Sequence, residues 1–129
     1  MPRISIQADC DGAPKKQLLR DLNIAFAHAD VESILEFFSD DIRWQIMGEA
    51  DLRGKKAVRA ALEAMQETVT SELIIHSIIT QGRAGAVNGE IRMERGGSVA
   101  FCDVCHFDSA DGGKIQSMMS YAVDTEKED

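Results

Sequence analysis

Near residue 70 the hydrophobic period of this chain changes from helical to alternating and stays so, and that change restricts the architecture more than any motif does. Before it, apolar residues recur at helical spacing. Leu18, Leu22, Ala25, Phe26 and Ala29 follow Gly12 and Pro14; Val31, Ile34, Leu35 and Phe38 follow Asp30, a residue suited to cap a helix; Val58, Ala61, Leu62, Met65 and Val69 follow Lys55. Each set predicts a helix. Between the second and the third, Ile42-Arg43-Trp44-Gln45-Ile46 alternates as a half-buried strand does, and Gly48 and Gly54 bracket a short loop. After the change, residues 73–80, 86–95, 99–107 and 115–123 read as strands, separated by turn signals at Gln81-Gly82, Gly96-Gly97 and Asp111-Gly112-Gly113. There is no room for crossover helices between those strands, which rules out a parallel α/β sheet. The expected class is α+β, three N-terminal helices packed on one face of a curved antiparallel sheet.

A length of 129 residues predicts a single domain, 1–129, with its core over about 16–123, a flexible N-terminal segment and an acidic C-terminal tail, DTEKED. Acidic residues outnumber basic ones 22 to 14, for a formal charge of -8. That excess repels nucleic acid and anionic membrane, and the Lys15-Lys16 and Lys55-Lys56 pairs are too small to reverse it. No apolar run approaches the roughly 20 residues that span a bilayer, and the start, MPRISIQADCDG, has no signal-peptide core. A cytoplasmic protein with three free cysteines, Cys10, Cys102 and Cys105, is expected.

The stretch CDVCH, residues 102–106, has the spacing of a c-type haem attachment site and contains a C-x-x-C pair. Geometry argues against both. On a strand rising about 3.3 Å per residue, Cys102 and His106 share a face but stand about 13 Å apart, while Cys105 points to the other face. No metal and no cofactor are expected, and both cysteines read as small core residues. Asp103 reads differently. Its neighbours on the same strand face are Val99, Phe101, Cys105 and Phe107, and a carboxylate among them must find a partner, reach water in a cavity, or stay protonated. It is the candidate catalytic residue.

The order of elements, the phrase ILEFFSDDIRW, the Leu52-x-Gly54 step into the third helix and AFCDVCHFD…GGKIQSMMSY resemble the nuclear transport factor 2-like superfamily, with SnoaL-like proteins and ketosteroid isomerases as the nearest branches. The resemblance covers about residues 16–123. It implies a cone of curved sheet closed by three helices, an apolar pocket inside and a homodimer outside. It also places on Asp103 the oxyanion-hole acid of the isomerases, the standard example of a carboxyl kept neutral by apolar surroundings. Their oxyanion tyrosine falls on Leu22 and their proton-moving aspartate on Ile46, so two of the three polar residues are missing. An epoxide-hydrolase pattern fails as well, because Arg92 and Glu94 alternate on one strand but the last-strand acid falls near Ser120.

Trp44, Ile46, Phe26, Phe101, Met118, Ser120, Tyr121 and His76 are the expected ligand-binding residues, with Glu49 and Asp51 as loop acids near the mouth. A pocket with one acid and one tryptophan among aliphatic walls suits a small hydrophobic ligand with one polar tip. Two readings stay open: a binding module holding that ligand through Asp103, and an enzyme acting on a small carbonyl compound by proton transfer.

Overall fold

The computed structural model describes residues 2–110 and 112–125. Asp111 of the last expected turn and residues 126–129 of the acidic tail lie outside the described residues. The order of elements is β1 (Arg3–Ile6), α1 (Pro14–Ala27), α2 (Val31–Glu36), β2 (Phe38–Ile46), β3 (Ala50–Arg53), α3 (Gly54–Met65), β4 (Thr70–Gln81), β5 (Ala84–Met93), β6 (Ser98–Ser109) and β7 (Gly112–Asp124).

Helix α1 starts at Pro14, whose fixed φ and missing N–H suit a first helical position. It stops by a local exchange of bonds. Ala29 turns to a φ of 54°, its N–H bonds Phe26 O at 3.0 Å, and the Asp30 N–H reaches back to Ala25 O at 3.0 Å. Asp30 then opens α2, its Oδ1 accepting from the Ser33 N–H at 3.2 Å and its Oδ2 from the Ser33 hydroxyl at 2.7 Å. One residue thus ends one helix and caps the next. Helix α2 is shorter than its apolar stripe predicts, because Phe38 leaves the helix and begins β2.

The strands form one open sheet in the order β1-β4-β5-β6-β7-β2-β3. Pairs β4–β5, β5–β6, β6–β7 and β2–β3 are antiparallel, as the turn signals predict, but β2 runs parallel to β7 and β1 parallel to β4. The sheet is therefore mixed and not purely antiparallel. Neither β1 nor β3 shows in the apolar pattern. Both are four-residue edge strands that bury no continuous face, so alternation has nothing to record. Segment Arg3–Ile6, expected outside the core, pairs with Glu72–Ile75, and the expected loop after Gly48 is a hairpin in which Ala50–Arg53 pairs back on β2.

Helices and sheet meet over one core. Leu19 and Leu22 of α1, Ile34 of α2, Val58 of α3, and Phe38, Ile42, Leu73, Ile75, Phe107, Ile115 and Met118 of the sheet are all fully buried. Among the described residues no helix is long and apolar enough to cross a membrane.

Candidate functional site

Alternation along β6 sends Val99, Phe101, Asp103, Cys105 and Phe107 toward the helices, while Cys102, Val104 and His106 take the opposite face. The two cysteines of CDVCH therefore point apart. Among the described residues no group of three or more His, Cys, Asp or Glu is arranged to hold a metal ion. Burial pushes the Cys105 thiol far above its ordinary value and raises Cys102 too, the opposite of what a reactive thiolate requires.

Under the helices lies a cavity of about 430 Å³. Eight of the nine residues expected to form the site line it: Asp103, Trp44, Ile46, Phe26, Phe101, Met118, Ser120 and Tyr121. Register explains the grouping. Asp103 on β6 stands opposite Ser120 on β7, Ser120 is paired in turn with Ile46 on β2, and Trp44 is paired with Met118. Trp44 is wedged by aromatic contacts, edge-on to Phe26 with ring centres 5.6 Å apart and tilted against Phe38 at 6.4 Å. Its Nε1 donates to Ser120 Oγ at 2.8 Å, which leaves the serine's own hydrogen to serve its neighbour across the ladder, Asp103.

Asp103 is only 9% exposed. Burial raises its carboxyl from 3.8 to about 6, and the Ser120 hydroxyl partly opposes that rise. Around pH 6 the group changes between hydrogen-bond donor and acceptor, as a proton carrier does.

Tyr121 borders the cavity from the side. It is paired with Cys102 on the outward face of the sheet and is 44% exposed. His76 does not line the cavity. Ile75 takes the inward position on β4, and a register irregularity between Ile75 and Ser77 leaves His76 facing out, where its Nδ1 lies 2.7 Å from Gln7 Oε1 and its Nε2 2.8 Å from Glu90 Oε2. It is a cross-strand tie.

The two loop acids part company. Asp51 is held outside the cavity by Arg43, which donates to its carboxylate at 3.1 and 2.9 Å and keeps it below its ordinary value. Glu49, in the turn between β2 and β3, borders the cavity beside Met65 and Thr68. All three are exposed, which marks the opening.

Sequence reasoning missed Asn23, a cavity residue only 4% exposed. A signal existed. Asn23 lies four residues after Leu19 and three before Phe26, on the buried stripe of α1, where an amide is out of place. Leu73, Ile91 and Val99 complete the apolar wall from β4, β5 and β6.

A family model described as a SnoaL-like domain matches residues 19–118. No curated protein matches the chain. Among solved structures, an NTF2-like protein of unknown function from Burkholderia xenovorans aligns with a TM-score of 0.75 at 14% identity, covering 94% of this chain and 91% of that one. Another NTF2-like protein of unknown function, from Cytophaga hutchinsonii, gives 0.65 at 21% identity over 84% of this chain and 99% of the other. A candidate SnoaL-like polyketide cyclase from Shewanella denitrificans gives 0.71 at 13% identity over 84% and 90%. At these identities the likeness is one of fold.

Proposed function

The chain belongs to the SnoaL-like domain family, and from that premise we propose that its cavity holds a small, mostly apolar molecule anchored by one hydrogen bond to Asp103. The observation that carries the reading is the burial of one carboxyl, raised to about 6, in a wall otherwise made of Trp44, Phe101, Met118 and aliphatic side chains. A carboxyl so placed is costly to charge, and a ligand hydroxyl or carbonyl offers it a hydrogen-bond partner beyond Ser120 that the apolar walls do not. In the same reading the sheet curls as a cone around the cavity and the protein works in the cytoplasm.

Two copies pair through the outward face of the sheet. Ile79, Val123 and Tyr121 stand 66%, 65% and 44% exposed around a second concavity there, of about 480 Å³, and no charged side chain lines it.

Calorimetric titration with 2-naphthol, a flat molecule with one hydroxyl, tests the anchor. Affinity in the micromolar range that falls about tenfold or more in Asp103→Ala supports it; absence of binding, or equal affinity in the variant, sinks it.

One observation favours a second reading. Glu49 borders the same cavity, so a proton can be taken from the carbon beside a carbonyl by Glu49 and returned to it while Asp103 donates to the carbonyl oxygen. Deuterium exchange into 2-tetralone in heavy water separates the two. Exchange that disappears in Glu49→Gln selects proton transfer, and binding without exchange selects the binding module.

A further inference from the structure

The anchor proposed above explains one polar group of the cavity and leaves another, on the helix side, without a role. Asn23 stands in the middle of α1, where an amide is a poorer helix former than the leucines around it, and it is almost wholly buried. Its Nδ2 donates to Leu19 O at 2.9 Å. That bond does nothing essential for Leu19, whose carbonyl already accepts the helix bond from the backbone N–H four residues on. What the bond does is orient the amide. A carbonyl oxygen only accepts, so the nitrogen is fixed on Leu19 and the side-chain oxygen, Oδ1, is turned the other way. Oδ1 has no hydrogen-bond partner among the described residues, yet no unpartnered side-chain oxygen is sealed inside them, so it opens on the cavity that the residue lines. The fold itself has no use for an acceptor there, and a leucine would continue the apolar stripe.

We infer that Asn23 is a specificity residue, a second and accepting anchor, and that the cavity selects neutral molecules carrying a hydroxyl or N–H donor in addition to the oxygen that meets Asp103. The inference rests on the cavity reading given above. Charge narrows the class further. Among the described residues the cavity is lined by two carboxylic acids, Asp103 and Glu49, and by no lysine, arginine or histidine, so carboxylates and phosphates find no counter-charge among them. Hydroxylated ring ketones, enols and polyphenols fit the description; fatty acids and sugar phosphates do not.

Calorimetry with 2-naphthol against the set of dihydroxynaphthalene isomers reads the second anchor directly. At least one isomer is expected to bind the wild-type protein several-fold to tenfold more tightly than 2-naphthol, and that ratio, measured within each protein, is expected to fall to about one in Asn23→Leu whatever the variant does to 2-naphthol itself. Asn23→Thr, which keeps an accepting oxygen, is expected to retain part of the gain, and unfolding midpoints of both variants establish that the fold is intact. If 2-naphthol binds but no isomer improves on it, the inference about Asn23 is overturned and the Asp103 anchor stands. If the gain survives in Asn23→Leu, the second hydroxyl is bound elsewhere and the inference fails. If neither naphthol nor any isomer binds, both fall together. A carboxylated naphthol binding as tightly as 2-naphthol overturns the charge argument alone.

Discussion

Trp44 and Ser120, 76 residues apart in the chain, are joined by a 2.8 Å hydrogen bond from the indole Nε1 to the hydroxyl oxygen, and Ser120 stands opposite Asp103 on the neighbouring strand. The bond spans the one internal place where the sheet runs parallel, β2 against β7, so it ties the early strand of the chain to the late pair that carries the acid. It occupies the serine as an acceptor and leaves it a donor toward the carboxyl.

Removing that hydroxyl has two expected effects. In Ser120→Ala the Trp44 Nε1 loses its partner in a buried setting, which costs about 1–3 kcal/mol of folding stability by urea titration. The Asp103 carboxyl also loses the group that opposes burial, so its titration, followed by carbon NMR of the side chain, moves above its wild-type position near 6. A carboxyl that titrates lower in the variant contradicts this account of the trio.

Asp103 should also write its pKa into the pH dependence of stability. Its folded value, about 6, lies above the ordinary 3.8, so the protonated acid favours the folded state. That contribution is fully present below about 3.8 and is lost as pH rises through about 6, for a total of about 3 kcal/mol. Asp103→Asn cannot ionise. It should match the wild type near pH 4 and become the more stable protein by pH 7.5, a difference read from unfolding midpoints across that range. A difference between the two proteins that stays flat with pH contradicts the assignment.

Much of this site was legible because burial and alternation leave the same mark in sequence and in space. Asp103 among Val99, Phe101 and Phe107 is visible as a break in an apolar strand face, and Trp44 two residues before Ile46 fixes which face of β2 looks inward. What sequence did not yield has physical causes. Strands β1 and β3 lie at the sheet edges and bury too little to show a period. His76 shares its spacing with Ile74 and Ile78, yet the irregularity after Ile75 breaks that alternation, so Ile78 faces inward and His76 does not. Asp51 and Glu49 look alike in a loop; Arg43, brought alongside by the pairing of β2 with β3, and Arg53 decide which is captured by an ion pair.

Beside that irregularity, Gly89 of β5 is paired with Ile75 at very close range. A Cβ added to Gly89 would lie 2.0 Å from Ile74 O and 3.1 Å from Ile75 Cα, both backbone atoms that cannot step aside. Gly89→Ala is therefore expected to cost at least about 2 kcal/mol, with Gly96→Ser, in an open turn but at a φ of 96°, costing less. Paired urea titrations check the order, and a Gly89→Ala protein as stable as wild type would mean that the two strands are not packed this closely.

The proposed pairing of two copies makes the outward sheet face the most exposed part of the molecule to a single charge. Around a two-fold axis each residue of the patch meets the same patch of the other copy, so one new lysine becomes two like charges held close together with their water removed. Ile79 is 66% exposed in the single chain and makes little contribution to its core, which means Ile79→Lys should leave the unfolding midpoint of the monomer nearly unchanged while abolishing association. Sedimentation equilibrium is expected to give twice the 14.2 kDa chain mass for the wild type and the single mass for the variant. A wild-type protein that stays at the single mass at about 100 µM, well above the range in which a dimer of this kind should form, removes the pairing from the reading; a variant that still associates moves the interface to another face.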